Sequence, residues 1–194
     1  MSKGRMEAFS DGVIAIIITI MALEIHIPKG TDIQALRPMI PVILSYVLSF
    51  TFLGIYWNNH HHLLQAVRHV NGRVLWANLH LLFWLSLTPF VTGWMGENQF
   101  AEMPVALYGV VLLFSGIAYY ILSRTLVVHH GKESVLAAAV GNDMKGKISL
   151  VSYLLAIPLT FVHILIACAI YVFVAILWLI PDKRIERVLA ENGR

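Results

Sequence analysis

Long apolar stretches separated by short polar ones run through this chain. The first extends from Gly12 to Leu23, after a polar, amphipathic start (MSKGRMEAFSD), and closes on Glu24, Ile25, His26, Ile27 and Pro28. Further stretches cover about 39–66, 74–96 and 104–128, followed by a polar segment at 129–147. The last stretch, Ile148 to Ile180, holds no acidic or basic residue except His163. As one straight helix it would measure about 50 Å, against a hydrocarbon core of about 30 Å. Two helices with a tight turn between Pro158 and His163 fit better. The pattern therefore predicts an all-α integral membrane protein, a single domain over residues 1–194. Its six spans fall near 6–27, 39–66, 74–96, 104–128, 146–161 and 163–181.

Composition agrees with that reading and excludes others. Of 194 residues, 58% are hydrophobic and 13% charged, with a mean hydropathy of +0.74. Soluble domains carry about 25% charged residues. Too few charges remain to solvate a globule, so soluble enzymes, secreted disulfide scaffolds and disordered regulators drop out. The single cysteine, Cys168, sits in an apolar run and allows no intramolecular disulfide. The net charge of +3 need not mean nucleic acid, because in membrane proteins the placement of basic residues matters more than their sum. With six spans, Lys29 and Arg37 fall on one side and the remaining Lys and Arg on the other. The positive-inside rule then puts both termini in the cytoplasm of a cell-membrane protein. Merging the last two spans would strand the C-terminal basic cluster on the wrong side. No internal repeat and no appended soluble domain is apparent.

The first apolar run is unusual. Twelve residues, Gly12 to Leu23, make about 18 Å of helix, too short to cross alone. Asp11 and Glu24 bracket it, and charge at membrane depth is costly unless it faces protein or water. The run thus belongs inside a bundle or along a wet cavity. Ile16, Ile20 and Leu23 make one helical stripe, with Thr19 beside it. Spacing alone leaves open whether this stripe faces a pore, lipid or a packing partner, because Ile14, Ile17, Ile18, Met21 and Ile25 supply other apolar faces.

Just before the run stands Arg5-x-x-x-Phe9-Ser10-Asp11. Ordinary roles exist for each: Ser10 or Asp11 as a helix N-cap, Arg5 as a positive-inside charge. The motif, together with the DGVIAIIITIMALEI that follows, nevertheless resembles the bacterial branch of the transmembrane protein 175 family of potassium channels. The close resemblance covers about residues 5–27. It implies a homotetramer in which four first helices line one pore for potassium ions. Carried over from the motif, Ile16, Ile20 and Leu23 would form the constricting rings, with Ile16 narrowest and Thr19 near the permeation path. Such rings would gate by dewetting and favour potassium, which sheds its hydration more readily than sodium. Arg5, Phe9, Ser10 and Asp11 would tie the first helix to its neighbours; the candidate partners are the histidines and tryptophans of the next two helices, with Asn78 and His80 foremost.

The remaining clusters carry less chemistry. Three consecutive histidines, His60, His61 and His62, point about 100° apart on a helix and cannot share one metal ion. They read better as a helix-end cluster, one member of which joins the polar network. Glu97 and Glu102, with Asp32 and Glu24, would make the outer face acidic, either to concentrate cations or simply as solvated loops. No nucleotide loop, catalytic serine elbow or zinc-protease motif appears, so no enzymatic activity, cofactor or metal is expected. The rival reading is a proton- or sodium-coupled secondary transporter, which would need an ionisable carrier near mid-span and two related halves. Asp11 and Glu24 lie at the ends of the predicted span, and the halves do not match.

Overall fold

A computed structural model describes residues 2–67, 69–131 and 143–179. Among them are seven α-helices: α1 (Lys3–Leu23), α2 (Ile40–Gln65), α3 (Gly72–Ser86), α4 (Thr88–Glu97), α5 (Glu102–His130), α6 (Met144–Thr160) and α7 (Ile164–Leu179). A 3₁₀ helix, Ile33–Met39, leads into α2. Helices are the expected outcome, because lipid offers the backbone no hydrogen-bond partner and each span must satisfy its own polar groups. Four stretches are long and apolar enough to cross a bilayer: Lys3–Leu23, Ile33–Gln65, Gly72–Glu97 and Glu102–His130. The expected end of the last span at 180–181 lies outside the described residues. So do Arg68, Lys132, Lys183, Arg184, Arg187 and Arg194 of the charge argument.

Three sequence expectations need correction. The first helix is 21 residues long, about 31 Å, and is not too short to cross. It ends at Leu23, short of the expected residue 27. It starts at Lys3, before the polar motif, so Ser10 and Asp11 stand in the helix body and neither caps it. Ser2 occupies the N-cap position and makes no side-chain capping bond. The physical reason is lateral: the polar residues of the first turns find partners on α2 and α3, so polarity there does not end the helix. Finally, the third stretch is not one helix. It breaks at Leu87 between α3 and α4, where Pro89 cannot donate to the preceding turn and its ring crowds the carbonyl four residues back.

Elsewhere the breaks follow local chemistry. Pro41 stands in the first turn of α2, where its missing N–H costs nothing. The Asn71 side chain accepts from Val74 N–H at 3.0 Å and caps α3. The Asp143 side chain accepts from Gly146 N–H at 2.8 Å and caps α6. Between α6 and α7 lie Phe161, Val162 and His163, with His163 N–H donating to Leu159 O at 2.9 Å.

Two apolar cores form. One gathers Ile14, Ile17 and Met21 of α1, Leu53 and Leu63 of α2, Leu81 and Leu85 of α3, and Leu122 and Leu126 of α5. The other joins Phe52, Met95, Tyr108, Tyr153, Tyr171 and their neighbours from α2, α4, α5, α6 and α7. The long helices α2 and α5 contribute to both and bind them into one bundle. Two glycines permit close approach. An added Cβ at Gly109 would land on the Tyr171 hydroxyl, and one at Gly96 would meet Ser45 Oγ and the Val42 backbone.

Candidate functional site: the first helix and its polar anchors

Helix α1 has two unlike faces. Met6, Ser10, Ile14, Ile17 and Met21 are buried, spaced four, four, three and four residues apart along one stripe of a 3.6-residue helix. The other face lies open. Ile16 is 61% exposed, Ile20 40% and Leu23 79%. Thr19 is exposed with them, and its hydroxyl donates to Ala15 O one turn back at 2.7 Å. That bond leaves the Thr19 oxygen with lone pairs facing outward. The isoleucine-rich sequence leaves the choice of buried face open. The buried stripe is the one that carries Ser10.

Ser10 anchors that stripe. Its hydroxyl donates to Met6 O at 2.8 Å and accepts from Asn78 Nδ2 of α3 at 2.9 Å. Asn78 Oδ1 in turn lies 2.8 Å from His60 Nε2 of α2. An amide oxygen only accepts, so His60 must donate through Nε2–H and is held in that tautomer when neutral. All three residues are buried. A chain of side-chain bonds thus stitches α1, α3 and α2 together inside the bundle. His60 Nδ1 is sealed from solvent with no hydrogen-bond partner, and so is His62 Nδ1.

A second clamp joins α1 to α2 alone. Trp57 Nε1 donates to Asp11 Oδ1 at 3.1 Å. One turn away on each helix, Glu7 Oε1 lies 3.3 Å from His61 Nδ1. The Trp57 and His61 rings stack, 6.1 Å apart and inclined by 17°, and His61 Nε2 meets Gln65 Nε2 at 2.8 Å. Two i, i+4 pairs, Glu7/Asp11 and Trp57/His61, therefore face each other across the helix interface.

Of the expected network, Ser10 and Asn78 come together and Asp11 is bonded, to Trp57. His80 stands apart: its Nε2 accepts from Trp84 Nε1 of its own helix at 3.0 Å. The indole one turn along the same helix takes the ring nitrogen that the network would have used. Phe9 is half exposed, and Arg5 is exposed with no hydrogen bond or ion pair among the described residues. His60 and Trp57 carry the anchoring instead. His60 has a signal in the sequence: it continues the stripe Ser49, Leu53, Tyr56 on α2, whose small polar members already mark an interior face. No cluster of three or more His, Cys, Asp or Glu suited to a metal occurs among the described residues.

Geometry and composition together define a multi-pass, all-helical membrane protein with one helix fastened by buried polar bonds on one side and left bare on the other. Residues 5–89 match the family described as the endosomal/lysosomal potassium channel TMEM175. A protein of Chryseobacterium sp. (strain P1-3), named a potassium channel, is 54% identical over 192 residues, 99% of this chain and 100% of that protein. The chain belongs to the TMEM175 family. More distant is the mouse endosomal/lysosomal proton channel TMEM175, 29% identical over 147 residues; the match takes in 66% of this chain and 29% of the mouse protein. The fold is similar to the crystal structure of a lysosomal potassium-selective channel TMEM175 homolog from Chamaesiphon minutus. That likeness has a TM-score of 0.77 at 26% identity, covering 91% of this chain and 95% of that one.

Proposed function

We propose that the protein is a potassium-selective cation channel: a homotetramer in the cell membrane, with six spans per chain and both termini cytoplasmic. The carrying observation is the bare face of α1, where Ile16, Ile20 and Leu23 are exposed on a helix that the protomer otherwise holds firmly. Four such faces around an axis enclose a pore that no single chain can make. Rings of Ile16, Ile20 and Leu23 constrict it, and Ile16 is the narrowest. Thr19, the hydroxyl on that face, stands beside the permeation path. An apolar ring in a narrow pore excludes water until it widens, so the constriction also gates. Selectivity arises because a partly dehydrated potassium ion passes such a ring at lower cost than sodium. Arg5, Phe9, Ser10, Asp11 and Asn78 serve architecture, and the protein is neither an enzyme nor a cofactor binder. The names borne by the Chryseobacterium and Chamaesiphon relatives support the same ion.

Purified protein in liposomes tests this. A potassium gradient alone is expected to drive flux, faster than a sodium gradient does, with no second ion required. Ile16→Ala is expected to raise sodium flux relative to potassium. Flux that needs a proton or sodium gradient would make the protein a coupled transporter instead. An unchanged permeability ratio in Ile16→Ala would remove the constriction from α1.

A further inference from the structure

Away from α1, helices α2, α5 and α6 line a partly open cavity of about 150 Å³, with Trp178 of α7 also on its wall. Its walls are mainly rings and aliphatic carbons, including Phe52, Ile55, Tyr56, Leu150 and Tyr153. Gly116 opens part of the space: a Cβ there would press on Leu150 Cδ2 at 2.9 Å and lie 3.8 Å from the Tyr56 hydroxyl.

Most polar groups on these walls are committed elsewhere. Asn59 Nδ2 donates to Ile55 O at 2.8 Å, and the Tyr119 hydroxyl donates to Asn59 O at 3.3 Å. Trp178 Nε1 donates to Ser149 Oγ at 2.8 Å, while that hydroxyl donates to Lys145 O. The Asp143 carboxylate accepts from Gly146 N–H at 2.8 Å, Lys147 also stands on the lining, and Tyr120 is exposed; two less exposed tyrosines differ. Tyr56 and Tyr153 both line the cavity, and neither hydroxyl has a hydrogen-bond partner among the described residues. Tyr153 is only 3% exposed. Neither oxygen is sealed in protein, since the sealed unpartnered side-chain atoms belong to His60, His62 and Ser115. The hydroxyls therefore open on the cavity itself. Buried hydroxyls in native proteins almost always have partners. A void of this size lined by carbon accepts a benzene-sized guest.

We propose that this cavity is a binding site for a small neutral aromatic alcohol, a molecule of phenol size. Its ring fills the space beside Phe52, Ile55 and Leu150, and its hydroxyl bonds to Tyr56 and Tyr153. A neutral guest suits walls that are mainly carbon and solvate a charge poorly; the charged residues of the lining are one acid and one base, Asp143 and Lys147. The site shares no residue with the proposed pore face, so it stands or falls separately from the channel reading.

Fluorine NMR titration of 4-fluorophenol and fluorobenzene into the detergent-solubilised protein tests it. Both probes partition into micelles, so the readout is the saturable component. Saturable binding of 4-fluorophenol is expected in the wild type. The double variant Tyr56→Phe/Tyr153→Phe removes both hydrogen bonds to the guest and is expected to weaken 4-fluorophenol about fivefold or more, while leaving fluorobenzene within about twofold. Leu150→Trp, which fills the space, is expected to abolish saturable binding of both. Should Leu150→Trp not fold, the contrast between the two probes in the double variant decides. No saturable 4-fluorophenol binding in the wild type would overturn the proposal and leave the cavity to water. Equal affinity of 4-fluorophenol for wild type and double variant would overturn it too.

Discussion

The two cores of this bundle are held by different kinds of polar bond. In the core around α1 the ties run between side chains of separate helices, from Ser10 to Asn78 to His60 and from Asp11 to Trp57. In the core around α7 they are contacts of hydroxyls with each other and with backbone. Ser49 Oγ lies 2.7 Å from Thr92 Oγ1 and 3.1 Å from the Tyr108 hydroxyl, and the Tyr171 hydroxyl donates to Val105 O at 3.2 Å. The first arrangement needs specific residues at specific positions, since an amide, an imidazole and a hydroxyl must match donor to acceptor. The second is built from hydroxyls of Ser, Thr and Tyr, each able to donate or accept, so it is less exacting. The region matched by the family, residues 5–89, contains every member of the first arrangement. A helix with one face left bare has only its remaining face with which to be held, and directional bonds hold it there without adding bulk.

Substitutions that strike each core test this contrast. The largest expected effect is at Gly109→Val, which forces the Tyr171 ring out of its slot against α5. Overpacking and the lost hydroxyl bond together cost about 3 kcal/mol, read as a fall in monodisperse protein and in melting temperature. Next comes Asn78→Leu, of similar size and without its amide. It leaves the Ser10 hydroxyl and His60 Nε2–H short of a partner and is expected to cost about 2 kcal/mol. The corresponding Tyr171→Phe should cost about 1 kcal/mol, because only one bond to a carbonyl is lost. If Tyr171→Phe proves as damaging as Asn78→Leu, the two cores do not differ in the way described.

Asp11→Ala should cost about 1 kcal/mol through the freed Trp57 indole, with a larger effect on conductance or tetramer formation than on melting. Full-size currents from a normally assembled Asp11→Ala channel would count against the anchoring role. Ile16→Ala sharpens the comparison from the other side. An exposed residue contributes within about 0.5 kcal/mol to the stability of its own protomer, so melting of the monomeric fold should hold while permeation changes. Smallest of all is Gln99→Gly. Gln99 and Phe100 in the α4–α5 turn have φ of 52° and 59°, a left-handed conformation that side chains disfavour. Glycine at Gln99 is expected to gain about 0.5 kcal/mol, measurable as a higher melting temperature.

Much of this was legible along the chain. Apolar length located the helices, and the stretch from Pro158 to His163 contains the residues that separate α6 from α7. The motif pointed to Arg5, Phe9, Ser10 and Asp11 as ties to neighbouring helices; Ser10 and Asp11 bond to α3 and α2, and Arg5 makes no such bond among the described residues. Legibility failed where polar residues were read as ends. Arg5 to Asp11 looked like a prelude to a short helix, because hydropathy counts an aspartate as a cost and does not see the indole that offsets it. Choosing between His60 and His80 also failed, since both sit at plausible depths in apolar helices and only the rotation of α2 and α3 about their axes separates them.

The sequence by itself determined that the chain enters a membrane as helices, because a segment this apolar must satisfy its backbone internally. It also determined the chemistry available to α1: a hydroxyl, a carboxylate and a run of interchangeable isoleucines. Tertiary structure alone decided which isoleucines are core and which are left bare. With apolar side chains on every face of α1, burial alone does not distinguish one rotation from another. The Ser10–Asn78 and Asp11–Trp57 bonds do, because each exists at one rotation only, and they turn Ile16, Thr19, Ile20 and Leu23 outward.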